Sequence, residues 1–209
     1  MQQSKIRMLT VVGGVLAGVV LLGSSSADAA ATGAMLANPC AGCHGTNGVS
    51  GGPAMPSIAG MPAKYFKVVM ADFKSGKRPS TIMGRLAKGY SEEETALMAD
   101  FFAQQKWQNG KNAPQSKMAT PVDAKLVKTG EDAAKDGKCD KCHEDNGVFQ
   151  DDDTPRVGGQ WLDYLRIKMH DLKNPALTIP QADKMKTGID KLSAEELEAV
   201  AHFYASQQK

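Results

Sequence analysis

The chain has 209 residues, 25 of them basic and 23 acidic, for a formal net charge of +2. That balance argues against the strongly basic surface that nucleic-acid binding requires. Residues 30–107 carry 8 basic and 5 acidic side chains, whereas residues 108–209 carry 15 and 17, a modest asymmetry that could orient docking partners.

The N-terminus reads as an export signal, residues 1–29. Lys5 and Arg7 make a basic start, Leu9 to Leu22 is apolar, and Ala27-Asp28-Ala29 is an A-x-A-like cleavage site. The apolar run is short for a membrane span, which needs about 20 residues. The mature chain is therefore expected to begin near Ala30, outside the cytoplasm and without a membrane anchor.

Next comes CAGCHGTNGV, Cys40 to Val49, which returns in altered form as CDKCHEDNGV, Cys139 to Val148. These two motifs use all four cysteines. A zinc site would need two close pairs joined by a short spacer, but the pairs lie 99 residues apart and each is followed directly by histidine. A thioredoxin-like pair needs a strand–helix context that is not visible. Two disulfides closing four-residue loops would gain little chain entropy. Covalent haem attachment uses every cysteine and both histidines: two thiols bind the porphyrin and His44 or His143 sits under the iron.

Beyond the first motif, Tyr65, Phe66, Val69, Met70 and Phe73 follow helical spacing. Ser91-x-x-Glu94 is a capping box opening a further helix. The segment Gln108 to Pro121 contains Asn-Gly, two prolines and many polar residues, and reads as a linker. The pattern then repeats. At an offset of 99, Cys40, Cys43, His44, Pro56, Gly60, Tyr65, Met70 and Asp72 match Cys139, Cys142, His143, Pro155, Gly159, Tyr164, Met169 and Asp171. At an offset of 102, Ser91, Glu94, Phe101 and Ala103 match Ser193, Glu196, Phe203 and Ala205. The chain is thus expected to be all-α, a tandem duplication of two small domains, residues 30–107 and 122–209, joined by residues 108–121. Domains of about 80 residues build thin cores, which a bound porphyrin would staple. His170 falls opposite Ala71 and His202 opposite Asp100, so both are expected on surfaces or helix faces with no role as ligands.

The iron's other axial ligand sets the chemistry, a thioether favouring electron transfer. Among 11 methionines, only two pairs recur after the motifs. Met70 and Met169 lie on apolar helix faces and read as core. Met83 and Met185 sit in STIMGRLAKGYS and ADKMKTGIDKLS, polar glycine-containing stretches expected to lie between helices, and are the candidate ligands. Met55 and Met61 face Thr154 and Gln160 in the second copy. A methionine candidate in both copies argues against a diheme peroxidase, which needs an iron able to open a position.

The stretches CAGCHGTNGVSGGPAMPSIAGM, FKSGKRPSTIMGRLAKGYS, KCDKCH, GGQWLDYL and FYASQQ carry a resemblance. The chain resembles a pair of fused class I cytochrome c domains and, more narrowly, the diheme cytochrome subunit of flavocytochrome c sulfide dehydrogenase. The resemblance implies a periplasmic electron-transfer subunit with two covalent haem c groups and no bond chemistry of its own. It implies a flavoprotein partner that oxidises sulfide, a soluble acceptor cytochrome, and two domains meeting about a pseudo-twofold axis. It also implies that the Pro56 and Pro155 carbonyls orient the haem histidines. The alternative is a free-standing diheme class I cytochrome c that shuttles electrons to a terminal oxidase. The second copy departs from the first at Phe149–Thr154, FQDDDT, where the first has SGGPAM, which puts the loop contacts there in doubt.

Overall fold

The structure, a computed structural model, describes residues 30–109 and 114–207. The export-signal segment lies outside the described residues. Among those residues all regular structure is helical, with no strand, and no helix is long and apolar enough to cross a membrane.

The first half contains α1 (Gly33–Ala37), α2 (Ala41–His44), α3 (Ala63–Ser75), α4 (Met83–Leu86) and α5 (Glu92–Ala103). The second contains α6 (Ala124–Asp136), α7 (Glu144–Gly147), α8 (Leu162–Lys173), α9 (Asp183–Lys191) and α10 (Ala194–Ser206). Both capping boxes form. The Ser91 and Ser193 hydroxyls accept from the Glu94 and Glu196 N–H groups, and each glutamate reaches back to the cap N–H. Two otherwise unsatisfied donors are thereby paired at the head of α5 and of α10.

Each half buries its own core. In the first, Phe66 and Met70 of α3 meet Met98, Ala99 and Phe102 of α5. In the second, Leu162 and Leu165 of α8 meet Leu197, Val200, Phe203 and Tyr204 of α10. The opening helices α1 and α6, which periodicity alone does not reveal, cross the closing helices at glycine. A Cβ on Gly33 would overlap the Leu97 carbonyl, and one on Gly130 the Ala199 carbonyl. Leu97 and Ala199 are counterparts at offset 102, so the duplication includes this close helix crossing.

His202, expected on a surface or helix face, lies in α10 but is buried rather than on the surface. It is 4% exposed. Its Nδ1 accepts from the Asp123 N–H at 2.9 Å, so Nε2 carries the proton and faces the Glu198 carboxylate at 3.2 Å. Asp123 caps α6 through its own side chain, and His202 thus pins the head of that helix to α10. His170 is exposed, as expected.

The two halves are in contact through hydrogen bonds and a tryptophan ring. Gln160 of the second half takes the Ser57 N–H on Oε1 at 3.1 Å and donates from Nε2 to the Ser57 carbonyl at 2.8 Å. Trp161 Nε1 donates to the Ser50 carbonyl at 3.1 Å, and its ring lies against Gly52. Gln150 donates to the Gly60 carbonyl at 2.7 Å. Arg156 stacks 4.6 Å over Trp107. The divergent loop Phe149–Thr154 closes around Asp151, which accepts from the Asp153 and Thr154 N–H groups. That turn presents Asp152 and Asp153 to Lys64 of the first half.

Candidate haem centres

In the first half a 3₁₀ turn, Asn38–Cys40, runs into α2, so Cys40, Cys43 and His44 lie on one short helical stretch. Gly45 (φ +74°) reverses the chain, and Gly48 holds Ile58 and Ala59 through its carbonyl. This fold-back brings Pro56 over the imidazole. His44 Nδ1 donates to the Pro56 carbonyl at 2.9 Å, and Nε2 has no partner among the described residues. Burial lowers the proton affinity of His44, partly offset by that carbonyl, so the ring is neutral and can ligate through Nε2.

The second motif is wound differently. Cys139–Lys141 forms a 3₁₀ turn entered from Lys138 in the left-handed region (φ +58°), and Asp145 and Asn146 also have positive φ. Burial again lowers the His143 proton affinity, and the Pro155 carbonyl opposes it. Yet His143 Nδ1 is buried without a hydrogen bond of standard geometry. The His44–Pro56 hydrogen bond thus has no counterpart of standard geometry at His143. The His143 ring stands edge-on to Tyr204, with centroids 6.2 Å apart.

All four cysteines are free thiols, Cys40 and Cys139 half-buried, Cys43 and Cys142 exposed. Burial pushes the Cys40 and Cys139 thiols up, so they are protonated at neutral pH. Cys40 and Met83 pack against one apolar cluster, and Cys139 and Met185 against the other. Both methionines are half-buried. They do not lie in loops: Met83 opens α4, and Met185 is the third residue of α9. Met70 is buried in the first cluster, whereas Met169, like Met185, packs half-buried against the second. Met61 also borders the first cluster, whereas its counterpart Gln160 is committed to Ser57.

This donor set fits haem c in each half. Paired thiols that form no disulfide flank a neutral imidazole whose iron-facing nitrogen is uncommitted, next to an apolar cluster edged by a thioether. No group of three or more His, Cys, Asp or Glu side chains able to hold a bare metal ion occurs among the described residues, as the two-pair zinc alternative would need. A duplicated all-α fold with two such centres is a diheme class I cytochrome c.

No family model matches the chain. Cytochrome c4 of Pseudomonas aeruginosa is 32% identical over 195 residues, covering 89% of this chain and 92% of that protein. The chain belongs to the cytochrome c4 family and carries two covalently bound haem c groups. The crystal structure of reduced cytochrome c4 from Pseudomonas stutzeri superposes with a TM-score of 0.71 at 25% identity, covering 84% of this chain and 97% of that one. The cytochrome subunit of sulfide dehydrogenase from Chlorobaculum tepidum is 50% identical over 70 residues, 34% of this chain. The match spans 63% of that relative's length.

Proposed function

We propose that the chain binds its haems through Cys40 and Cys43 in residues 30–107 and through Cys139 and Cys142 in residues 122–209. The axial pairs are His44 with Met83 and His143 with Met185, and residues 108–121 join the two domains. The placement of Met83 and Met185 at equivalent edges of the two cysteine-bearing clusters carries this reading. The Pro56 carbonyl holds the His44 imidazole in orientation, and Pro155 would do the same for His143 once haem binding brings its Nδ1 within hydrogen-bond reach. Each bound haem supplies one-electron redox chemistry, and a thioether ligand closes the iron to other chemistry. In the ferric protein, Met83→Ala should remove about half of the weak red band of thioether ligation, and Met185→Ala the other half. Loss of the band in Met70→Ala or Met169→Ala instead would assign the ligands to the other pair.

The chain is an electron-transfer cytochrome. As its partner we infer a flavoprotein that oxidises sulfide, with a soluble cytochrome as acceptor, in the periplasm after removal of residues 1–29. The 50% identity to a sulfide dehydrogenase cytochrome subunit supports that assignment. Stable subunits bury at least about 1,200 Å² in total with an apolar centre, whereas transient redox encounters are smaller and steered by charge. Mixed anaerobically with the flavoprotein and titrated with sulfide, the chain should be reduced only when the flavoprotein is present, and the complex should survive gel filtration at moderate salt. The full-length similarity to cytochrome c4 favours a second reading, a free shuttle to a terminal oxidase. Absence of a complex, together with rapid salt-sensitive oxidation by such an oxidase, would establish it.

A further inference from the structure

The two copies treat the same stretch of surface in opposite ways. Residues 64–88, from α3 through α4, hold seven basic side chains and one acidic, Asp72, a net of +6. The corresponding residues 163–190 hold five basic and four acidic, a net of +1. In the second half the charges are answered in place: Arg166 pairs with Glu198, Lys168 with Asp171 and Lys186 with Asp190. In the first, only Lys64 of the seven is in an ion pair among the described residues. Lys74 shares a structural task with its counterpart Lys173. It donates to the Tyr90 carbonyl at 2.6 Å, as Lys173 donates to the Ile189, Asp190 and Leu192 carbonyls. Arg85 and Lys88 have no such task, and their counterparts at offset 102 are Thr187 and Asp190.

The chain around Met83 gives this charge a shape. The Ile82 carbonyl accepts from the Arg85 and Leu86 N–H groups at 2.9 and 3.2 Å, so Ile82 and Leu86 stand one turn apart on one face. Both are about half exposed, at 53% and 51%, and their counterparts are Lys184 and Gly188. Beside them a groove of about 340 Å³ between the end of α3 and α4 is lined by Lys74, Arg78, Arg85 and Lys88, and by no acidic side chain. The glutamates at the head of α5 are engaged locally: Glu93 takes the Ser91 hydroxyl and Glu94 the Ser91 N–H. An aliphatic pair rimmed by cations of one sign is the anatomy of an interface, apolar at its centre and charged at its edge.

We propose that the α4 face of the first half is the docking surface for a redox protein with an acidic rim, Arg85 and Lys88 steering its approach and Ile82 and Leu86 forming the apolar centre. The equivalent face of the second half is not. The proposal deepens the partner reading and rests on the assignment of Met83 as an iron ligand. One electron is lost by the partner and gained by the iron of the first half, with no bond made or broken. Charge at the rim sets the rate of encounter, and the apolar centre sets how long the pair stays together.

The test is stopped-flow reduction of the ferric holoprotein by reduced flavodoxin, a small acidic flavoprotein used here as the probe. The second-order rate constant should fall as salt rises from about 10 mM to about 0.5 M, as the field is screened. At low salt Arg85→Glu/Lys88→Glu should slow it about tenfold, and the loss should vanish at high salt. Lys184→Glu/Lys191→Glu makes the same change in net charge on exposed residues of the second half. It should keep the rate within about twofold of wild type. Leu86→Ser should weaken the complex and leave the salt dependence unchanged. Equal slowing by the two charge reversals, or none by either, overturns the proposal: net charge alone, or another face, would then govern the encounter. Phosphatidylglycerol vesicles that bind the wild type but not Arg85→Glu/Lys88→Glu, with flavodoxin rates alike in both, would also overturn it and assign the patch to a lipid surface. Haem count by mass and the red band are read on the same samples. Their loss would count against the ligand assignment rather than against the docking face.

Discussion

With Cys139 and Cys142 both replaced by alanine, the chain should carry one covalent haem instead of two, and its second half should melt before the first. The thiols are the attachment points, so mass measurement reads the first effect directly. The second follows from the core. The second cluster is bordered by Cys139 and Met185, two of the residues proposed to hold the porphyrin. A domain of about 80 residues has little apolar area to spare. The half-buried His143 would also lose the iron proposed on its Nε2, with no hydrogen bond on Nδ1 to hold the ring in place. The α6–α10 crossing at Gly130 does not depend on haem, so helix content should persist while the fixed packing of His143 against Tyr204 is lost. Circular dichroism and haem absorbance, followed together on heating, should show a helical change that precedes the spectral change of the first haem. Two covalent haems, or a second half as stable as in the wild type, would defeat this account.

What the sequence reveals about these centres is mostly local. Cys-x-x-Cys-His is a contiguous motif whose chemistry follows from spacing alone, and the serine–glutamate boxes form as written because a cap is decided within four residues. The duplication narrowed 11 methionines to two pairs; in the first half Met70 is buried and Met83 half-buried, whereas in the second Met169 and Met185 are both half-buried against the same cluster. Met83 and Met185 were expected in loops because glycine and charged residues break any apolar stripe there. They nonetheless begin or enter short helices whose remaining faces are largely exposed.

Contacts between distant segments leave no such trace. Gly33 and Gly130 precede the motifs and are offset by 97 rather than 99 residues, so the repeat passes over them, and their role exists only where another helix backbone arrives. His202, whose counterpart is Asp100, was expected on a surface or helix face; it lies on a helix but buried, and its partner is the Asp123 N–H, 79 residues earlier. Arg78 falls in the three-residue slippage between the copies, where alignment gives it no counterpart. Its contact with the second half becomes visible only once the Pro180 carbonyl stands beside it.

The contact between the halves is the other feature invisible in the repeat, and its removal should have the largest effect on stability. In the double variant Gln160→Ala/Trp161→Ala, the cooperative melt should separate into two transitions. Ser57 is 2% exposed, and Gln160 satisfies both its N–H and its carbonyl. Each would be left unpaired at about 1–3 kcal/mol. Trp161 is 9% exposed, and truncating a buried tryptophan to alanine costs about 3–5 kcal/mol. The neighbouring residues share one interface, so their effects will not simply add. The ion pairs from Lys64 to Asp152 and Asp153 are exposed and contribute about 0–1 kcal/mol. Lys64→Ala should therefore leave a single transition, and added salt should change little. Trp161 also heads α8, so the same contact needs to be attacked from the other half. Gly52→Ala does this: at φ +71° an added Cβ is strained and would run into the Trp161 ring, while every residue of the second half stays in place. It should split the melt in the same way with both haem spectra retained. If Gly52→Ala and the double variant each melt in one step, cooperativity between the halves resides elsewhere than in this contact.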